Sequence, residues 1–173
     1  MKLQIVIAGI GGQGVLFTSR VIYEMAHRRG EAVFGSETHG MSQRGGSVLA
    51  HLKIGRFYSP LVKRRRADLL LGLEREEGLR NISMLKEGGV AVINARELPP
   101  LEGVKVYRVD SDRIASELDN PRVANLALLG FAISAGALPF SEGELKEVVS
   151  SLSPPAFKEV NLKAIERGIS SFG

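Results

Sequence analysis

The sequence predicts an α/β protein: a single Rossmann-like domain over residues 1–173, with a mostly parallel sheet flanked by helices and a β-hairpin insertion. Three observations carry that expectation. The chain opens with an apolar run over residues 2–8 that ends in Gly9-Ile10-Gly11-Gly12-Gln13-Gly14 and gives way to a helical pattern. Apolar runs of strand length then alternate with helical stretches along the chain, the pattern of a sheet built from strand–helix–strand units. No internal repeat, linker or low-complexity segment interrupts the alternation, and 173 residues suffice to bury roughly 70% of the surface that the unfolded chain would expose.

The elements follow in order. Residues 2–8 form the first buried strand, and residues 15–28 form the first helix. The stretch 31–36 is a second short strand, followed by a polar, glycine-rich segment from Glu37 to Gly46. Residues 47–54 alternate well enough for a strand with one face covered, and Gly55-Arg56 would turn it toward Phe57-Tyr58 as a hairpin. Another buried run spans 67–73, and Leu79, Ile82 and Leu85 recur at helical spacing in the charged stretch 74–86. Strands are expected at 89–94 and 104–109, on either side of a proline-rich loop. Asp110-Ser111 offers an N-cap for a short helix through Leu118. Pro121 opens a helix to about Gly136 that is apolar nearly all round and is therefore expected to be buried. Ser141 with Glu144 is a capping-box pair ahead of another helix, and Pro154-Pro155 starts the last one.

Composition narrows the chemistry. The chain has no cysteine, which removes disulfides, thiolate zinc sites, cysteine-ligated iron–sulfur clusters and a cysteine nucleophile. The first apolar run is too short to span a membrane and lacks a signal-peptide cleavage pattern, so a cytoplasmic protein without a membrane partner is expected. Net charge is +4, densest at Lys63-Arg64-Arg65-Arg66. No aromatic residues interleave with that run and no nucleic-acid-binding module surrounds it, so a solvated loop or a protein interface is expected there rather than nucleic acid.

Two segments are suited to a ligand or a partner. In the turn at Gly9, Gly11, Gly12, Gln13 and Gly14, a helix start presents unpaired N–H groups and a positive dipole end, which suits a phosphate or another anion. The glycines of such a turn allow the tight bend, close approach of backbone to a ligand, and packing of helix on strand; the fold needs the turn even without a ligand. Glu37 lies near the place where a dinucleotide-binding fold sets an acid for the ribose, leaving a stand-alone NAD(P)- or FAD-binding oxidoreductase as an alternative. The segment after it sets His39, Gln43 and Arg44 among closely spaced glycines that let backbone approach a neighbour. His39 changes charge near neutral pH, and Arg44 has the fork to clamp a carboxylate or phosphate, or to pair with Glu37. His27 and His51 have no neighbours at metal-ligand spacing, and no metal site is expected. No Ser–His–Asp arrangement or G-x-S-x-G elbow can be drawn.

Read together, residues 9–15 and the run Glu37-Thr38-His39-Gly40-Met41-Ser42-Gln43-Arg44-Gly45-Gly46-Ser47-Val48 resemble the gamma subunit or domain of 2-oxoacid:ferredoxin oxidoreductases, most of all the small subunit of the indolepyruvate enzymes. Ser59-Pro60-Leu61 ahead of Ala67-Asp68, and the stretch from Asn125 to Gly130, resemble further segments of that family; the resemblance covers about three quarters of the chain in order and weakens in the last two helices. It implies a multi-subunit enzyme that decarboxylates a 2-oxoacid with thiamine diphosphate, passes electrons through iron–sulfur clusters to ferredoxin and delivers the acyl group to coenzyme A. This chain has no cysteines for clusters and no Gly-Asp-Gly segment for magnesium and thiamine diphosphate. The resemblance therefore implies that those cofactors sit on a larger, alpha-type partner subunit and that this chain binds none of them. It also places Glu37, His39, Gly40, Met41, Gln43, Arg44, Gly45 and Gly46 at the partner or at the coenzyme A entrance, with His39 and Arg44 as contributors across the interface.

Overall fold

The computed structural model describes residues 1–39 and 45–173, with His39 described by its backbone alone. The chain alternates as expected: β1 (Leu3–Ile10), α1 (Val15–Arg28), β2 (Val33–His39), β3 (Ser47–Ile54), β4 (Ala67–Gly72), α2 (Arg75–Arg80), β5 (Leu85–Asn94), β6 (Lys105–Val109), α3 (Ser111–Glu117), α4 (Ala124–Ser134), α5 (Glu142–Leu152) and α6 (Lys158–Ser170). Among the described residues these strands form one six-stranded sheet in the order β2-β3-β1-β4-β5-β6. The pairs β1–β4, β4–β5 and β5–β6 are parallel, whereas β3 runs antiparallel to both β1 and β2. The mostly parallel α/β sheet flanked by helices is thus borne out.

The hairpin is present but has a different partner. The sequence pairs residues 47–54 with Phe57-Tyr58; the structure pairs β3 with β2, Val33 opposite Ile54 and His39 opposite Val48. Burial explains the exchange. Val48, Ala50, Leu52 and Ile54 all turn into the main core, which Val33 of β2 also meets. Tyr58 stands fully exposed and offers β3 nothing to bury. The 74–86 helix is also shorter than its apolar spacing suggests. It ends at Arg80, passes through a single tight turn at Ile82–Met84, and Leu85 already begins β5.

The helices divide unequally between the faces. One face carries α1, α3, α4, α5 and α6 over a continuous core that includes Ile5, Ile7, Ile22, Leu52, Leu71, Leu128 and Ile165. The other face is covered chiefly by α2, the turn after it and Val62, over Val6, Ala8, Leu70, Ala91 and Ile93. Helix α4 is buried from Asn125 to Ile133, as its all-round apolarity requires. It lies so close to α6 that a side chain at Gly168 would collide with the Ala127 backbone.

Local signals behave as their chemistry dictates. The Asp110 side chain accepts from the Arg113 amide at 3.1 Å, so Asp110 is the N-cap of α3. Ser141 and Glu144 close a reciprocal capping box on α5. Arg29, the residue closing α1, donates from its Nη2 to Glu144 Oε2 at 2.6 Å and ties α1 to α5. That bond holds the Glu144 carboxyl down at about 2, with help from the Ser141 contacts.

Candidate ligand site at the switch point of the sheet

Chain direction makes one place special. From β1 the chain leaves through α1 toward β2 on one side, while β4 lies on the other, so the strand order reverses beside the carboxyl end of β1. Open parallel sheets leave a crevice there, and ligands occupy it. The glycine turn stands at its mouth.

Each residue of the turn has a distinct job. A side chain at Gly9 would run into Val15 Cγ2 at 2.8 Å, so Gly9 lets the helix start close against the strand. The Gly11 amide donates to the Gly46 carbonyl at 2.9 Å, so it meets the end of the hairpin loop rather than a ligand. Gln13 folds its side chain back, Oε1 accepting from the Ile10 amide at 2.9 Å, and so fastens the turn. Gly14 caps α1 with a φ of 81°, a left-handed conformation, and a side chain there would strike the Asn125 amide group. Gly12, with φ of 93°, has nothing within 4 Å of where a side chain would project. It faces open space.

That space is a pair of adjoining cavities. One, of about 320 Å³, is bounded by Gly12, Gln13, Leu73, Ser111, Arg122 and Asn125, among others. The second, of about 350 Å³, shares Gly12, Gln13, Arg122 and Asn125 but is otherwise walled by Phe17, Val123, Leu126, Pro154 and Phe157. The first mixes polar and apolar walls, Asp112 among them, and the second is mainly apolar. Ser111 is 1% exposed, and its Oγ is the one fully buried side-chain oxygen or nitrogen without a hydrogen-bond partner among the described residues. An unpaired buried hydroxyl costs about 1–3 kcal/mol, and Ser111 is among the residues that line the first cavity. Arg122 is exposed and joins no ion pair among the described residues, which leaves its guanidinium free for an anion.

A larger hollow of about 820 Å³ lies beyond β5 and β6, but its charges answer one another. Arg96 pairs with Asp110 at 3.1 Å and Arg113 with Glu117 at 3.2 Å. The walls between the two regions are held by Asn94, buried at the end of β5. Its Nδ2 donates to the Leu73 carbonyl at 3.1 Å and its Oδ1 accepts from the Ser111 amide at 3.0 Å.

Of the sequence-predicted residues, Gly9, Gly11, Gly12, Gln13, Gly14, Gly45 and Gly46 come together at this mouth. Ser47 extends the anchorage, its Oγ donating to buried Glu77 at 2.8 Å. Gly40, Met41, Gln43 and Arg44 lie outside the described residues, as does the side chain of His39. Glu37 lies apart. It stands opposite Ala50, which stands opposite Ile7, so β3 separates it from β1 by two strand spacings, roughly 9–10 Å. The ribose-binding acid of a dinucleotide fold belongs to a strand directly beside β1, and the inserted β3 takes that place here. Ser111, Arg122, Asn94 and Glu77 were not among the expected site residues.

The family pattern described as pyruvate ferredoxin/flavodoxin oxidoreductase matches residues 4–171. The chain belongs to this oxidoreductase family. Among its relatives, the indolepyruvate oxidoreductase subunit IorB of Thermococcus kodakarensis is 35% identical, the alignment covering 97% of this chain and 95% of the relative. The corresponding subunit of Pyrococcus horikoshii is 34% identical over the same shares. The crystal structure of a keto/oxoacid ferredoxin oxidoreductase gamma subunit from Geobacter sulfurreducens superposes with a TM-score of 0.80 at 26% identity, covering 98% of this chain and 97% of that one. The resemblance read from the two motifs therefore holds, as does the oxidoreductase class, and these relatives are named as subunits. The dinucleotide-enzyme alternative gains no support. Among the described residues no cluster of three or more His, Asp or Glu side chains is arranged to hold a metal ion, and no helix is long and apolar enough to cross a membrane.

Proposed function

We propose that this chain is the small subunit of a 2-oxoacid ferredoxin oxidoreductase acting on indolepyruvate or a similar aryl pyruvate, and that it contributes to the site where coenzyme A is received. The carrying observation is the cavity at the glycine turn, lined both by Ser111, whose buried hydroxyl has no partner among the described residues, and by the exposed Arg122. A phosphate of coenzyme A fits that donor set. Arg122 supplies a bidentate, charged contact, Ser111 Oγ donates one hydrogen bond, and the open backbone at Gly12 allows close approach. The adjoining apolar cavity between Phe17, Leu126 and Phe157 would take an organic portion of the same molecule. The chain's own work is to bind and orient that ligand and to keep water from it.

Residues Glu37, His39, Gly40, Met41, Gln43, Arg44, Gly45 and Gly46 form the contact with the larger subunit, with His39 and Arg44 as contributors across that interface. The Gly11–Gly46 and Ser47–Glu77 bonds support this reading by holding the end of that loop at the mouth of the cavity. Redox cofactors do not fit this chain. It has no cysteine to ligate a cluster and no Gly-Asp-Gly segment for magnesium and thiamine diphosphate, so in this reading those cofactors belong to the larger partner, which also meets ferredoxin.

The test is purification of the chain from its native cells, with the recovered material analysed for mass, iron and thiamine diphosphate. A larger subunit carrying both is expected, together with coenzyme A-dependent reduction of ferredoxin by indolepyruvate. A chain recovered alone, holding NAD(P) or FAD, would contradict the proposal.

A further inference from the structure

The opposite end of the sheet, where β1 and β4 begin, is built differently. Residues 55–66 join β3 to β4 there and contain Arg56 and the run Lys63-Arg64-Arg65-Arg66, with no acidic residue among them. All five cations are exposed. The described residues form twelve ion pairs over the chain, and none involves any of these five. Two further cations crowd in from below. Lys2 and Lys53 each place Nζ 5.1 Å from the centre of the Phe57 ring, and neither has a carboxylate partner among the described residues. Burial first, and then the positive charge of Lys63, pushes the Lys53 ammonium below its ordinary pKa.

The segment is also held in place. Val62 is buried, and its amide donates to His51 Nδ1 at 3.3 Å. The Arg65 amide donates to the Ser83 carbonyl at 3.1 Å and the Arg66 amide to the Met84 carbonyl at 3.0 Å. Arg65 is one of two residues other than glycine with positive φ among the described residues, at 62°. A solvated run of cations needs neither a pinned backbone nor a left-handed arginine. Beside the cations, Tyr58 is wholly exposed and Leu61 is 46% exposed. Arginine and tyrosine around an apolar spot is the composition of protein interfaces.

We propose that residues 55–66 are a docking surface for an acidic face of the larger subunit, an inference that rests on the subunit reading above. This surface is separate from the loop at residues 37–46. Residues 63–66 lead into the start of β4, which the eight residues of β1 set roughly 25 Å from the glycine turn, whereas Val62 packs on the sheet face between them. The partner therefore holds this chain at both ends, by loop backbone at one and by charge at the other.

Hydrogen exchange of the purified complex against the isolated chain tests this without altering any residue. Amides over 55–66 are expected to slow by about tenfold or more in the complex. The combined Lys63→Glu, Arg64→Glu, Arg66→Glu variant is expected to lower affinity for the larger subunit about tenfold or more, and most strongly at low salt. Arg64→Lys with Arg66→Lys, which keeps the charge, should assemble nearly as the parent does, and all isolated variants should melt close to it. Unchanged exchange in the complex, or assembly by the reversed variant at parental affinity, would overturn the proposal. So would salt-sensitive nucleic-acid binding that the reversed variant loses while still assembling. A parent chain that assembles with no subunit at all would instead overturn the subunit reading.

Discussion

At the carboxyl ends of the parallel strands the surface is made of backbone, whereas at their amino ends it is made of side-chain charge. The glycine turn offers a bare Gly12, a left-handed cap at Gly14 and one unpaired buried hydroxyl, all beside a hollow. The 55–66 segment has no comparable hollow among the described cavities and instead displays five unpaired cations on a fixed loop. Both ends leave polar groups without a partner among the described residues, one a buried hydroxyl and the other a set of hydrated cations. A hydroxyl on a cavity wall needs one atom at one point, which a small ligand supplies. Spread positive charge needs an extended surface of opposite sign, which a protein supplies. One sheet thereby serves a ligand and a partner from opposite ends without either contact competing for the same residues.

The sharpest way to break the first half of the comparison is at the two positive-φ glycines of the turn. Gly14→Val combines a left-handed backbone with a collision against Asn125 and is expected to cost roughly 2–5 kcal/mol of stability. Gly12→Val meets only the backbone strain, because nothing lies within 4 Å, and should cost about 1–3 kcal/mol. Urea unfolding of both variants decides the matter. Equal losses would mean that packing against Asn125 does not shape the cavity.

A smaller effect sharpens the second half. His51 is buried, and its Nδ1 accepts from the Val62 amide, so folding favours the neutral ring. Burial first, then Lys53, lowers its pKa below 6.5. Its contribution is complete above 6.5 and is lost as pH falls through the lower folded value, when protonation removes the acceptor. Exchange at Val62 and its neighbours, corrected for intrinsic rates, should therefore speed up on acidification below 6.5, and His51→Gln should flatten that dependence. A pH-independent Val62 would show that His51 does not anchor the docking segment.

Much of this was legible in the chain itself. The strand, glycine turn and helix at residues 2–28 are local signals, and Ser141 with Glu144 is a self-contained one, so spacing alone located them. The long buried helix was likewise written in its composition. What escaped depends on contacts distant in sequence. Phe57-Tyr58 looked like the hairpin partner because it followed a turn, but β2 had the apolar face that β3 needed to cover. Asp110-Ser111 has the chemistry of a helix cap, and Asp110 is the cap. That the Ser111 hydroxyl would be buried against a cavity wall depends on Asn94, 17 residues earlier, gripping its amide. Arg122 gave no signal beyond its place after a proline. The cluster at 63–66 was plain as charge, whereas its lack of counter-charge and its pinned backbone belong to the folded molecule.

The central claim is that the hollow at the glycine turn receives the anionic part of a ligand, and calorimetric titration of coenzyme A into the complex tests it most directly. Ser111→Ala and Arg122→Gln should each weaken binding by roughly tenfold or more, since hydrogen bonds to a charged group contribute about 1.5–3 kcal/mol, while Ser111→Ala leaves the chain at least as stable as before. Parental affinity in both variants would contradict the account and leave the glycine turn as a structural bend alone.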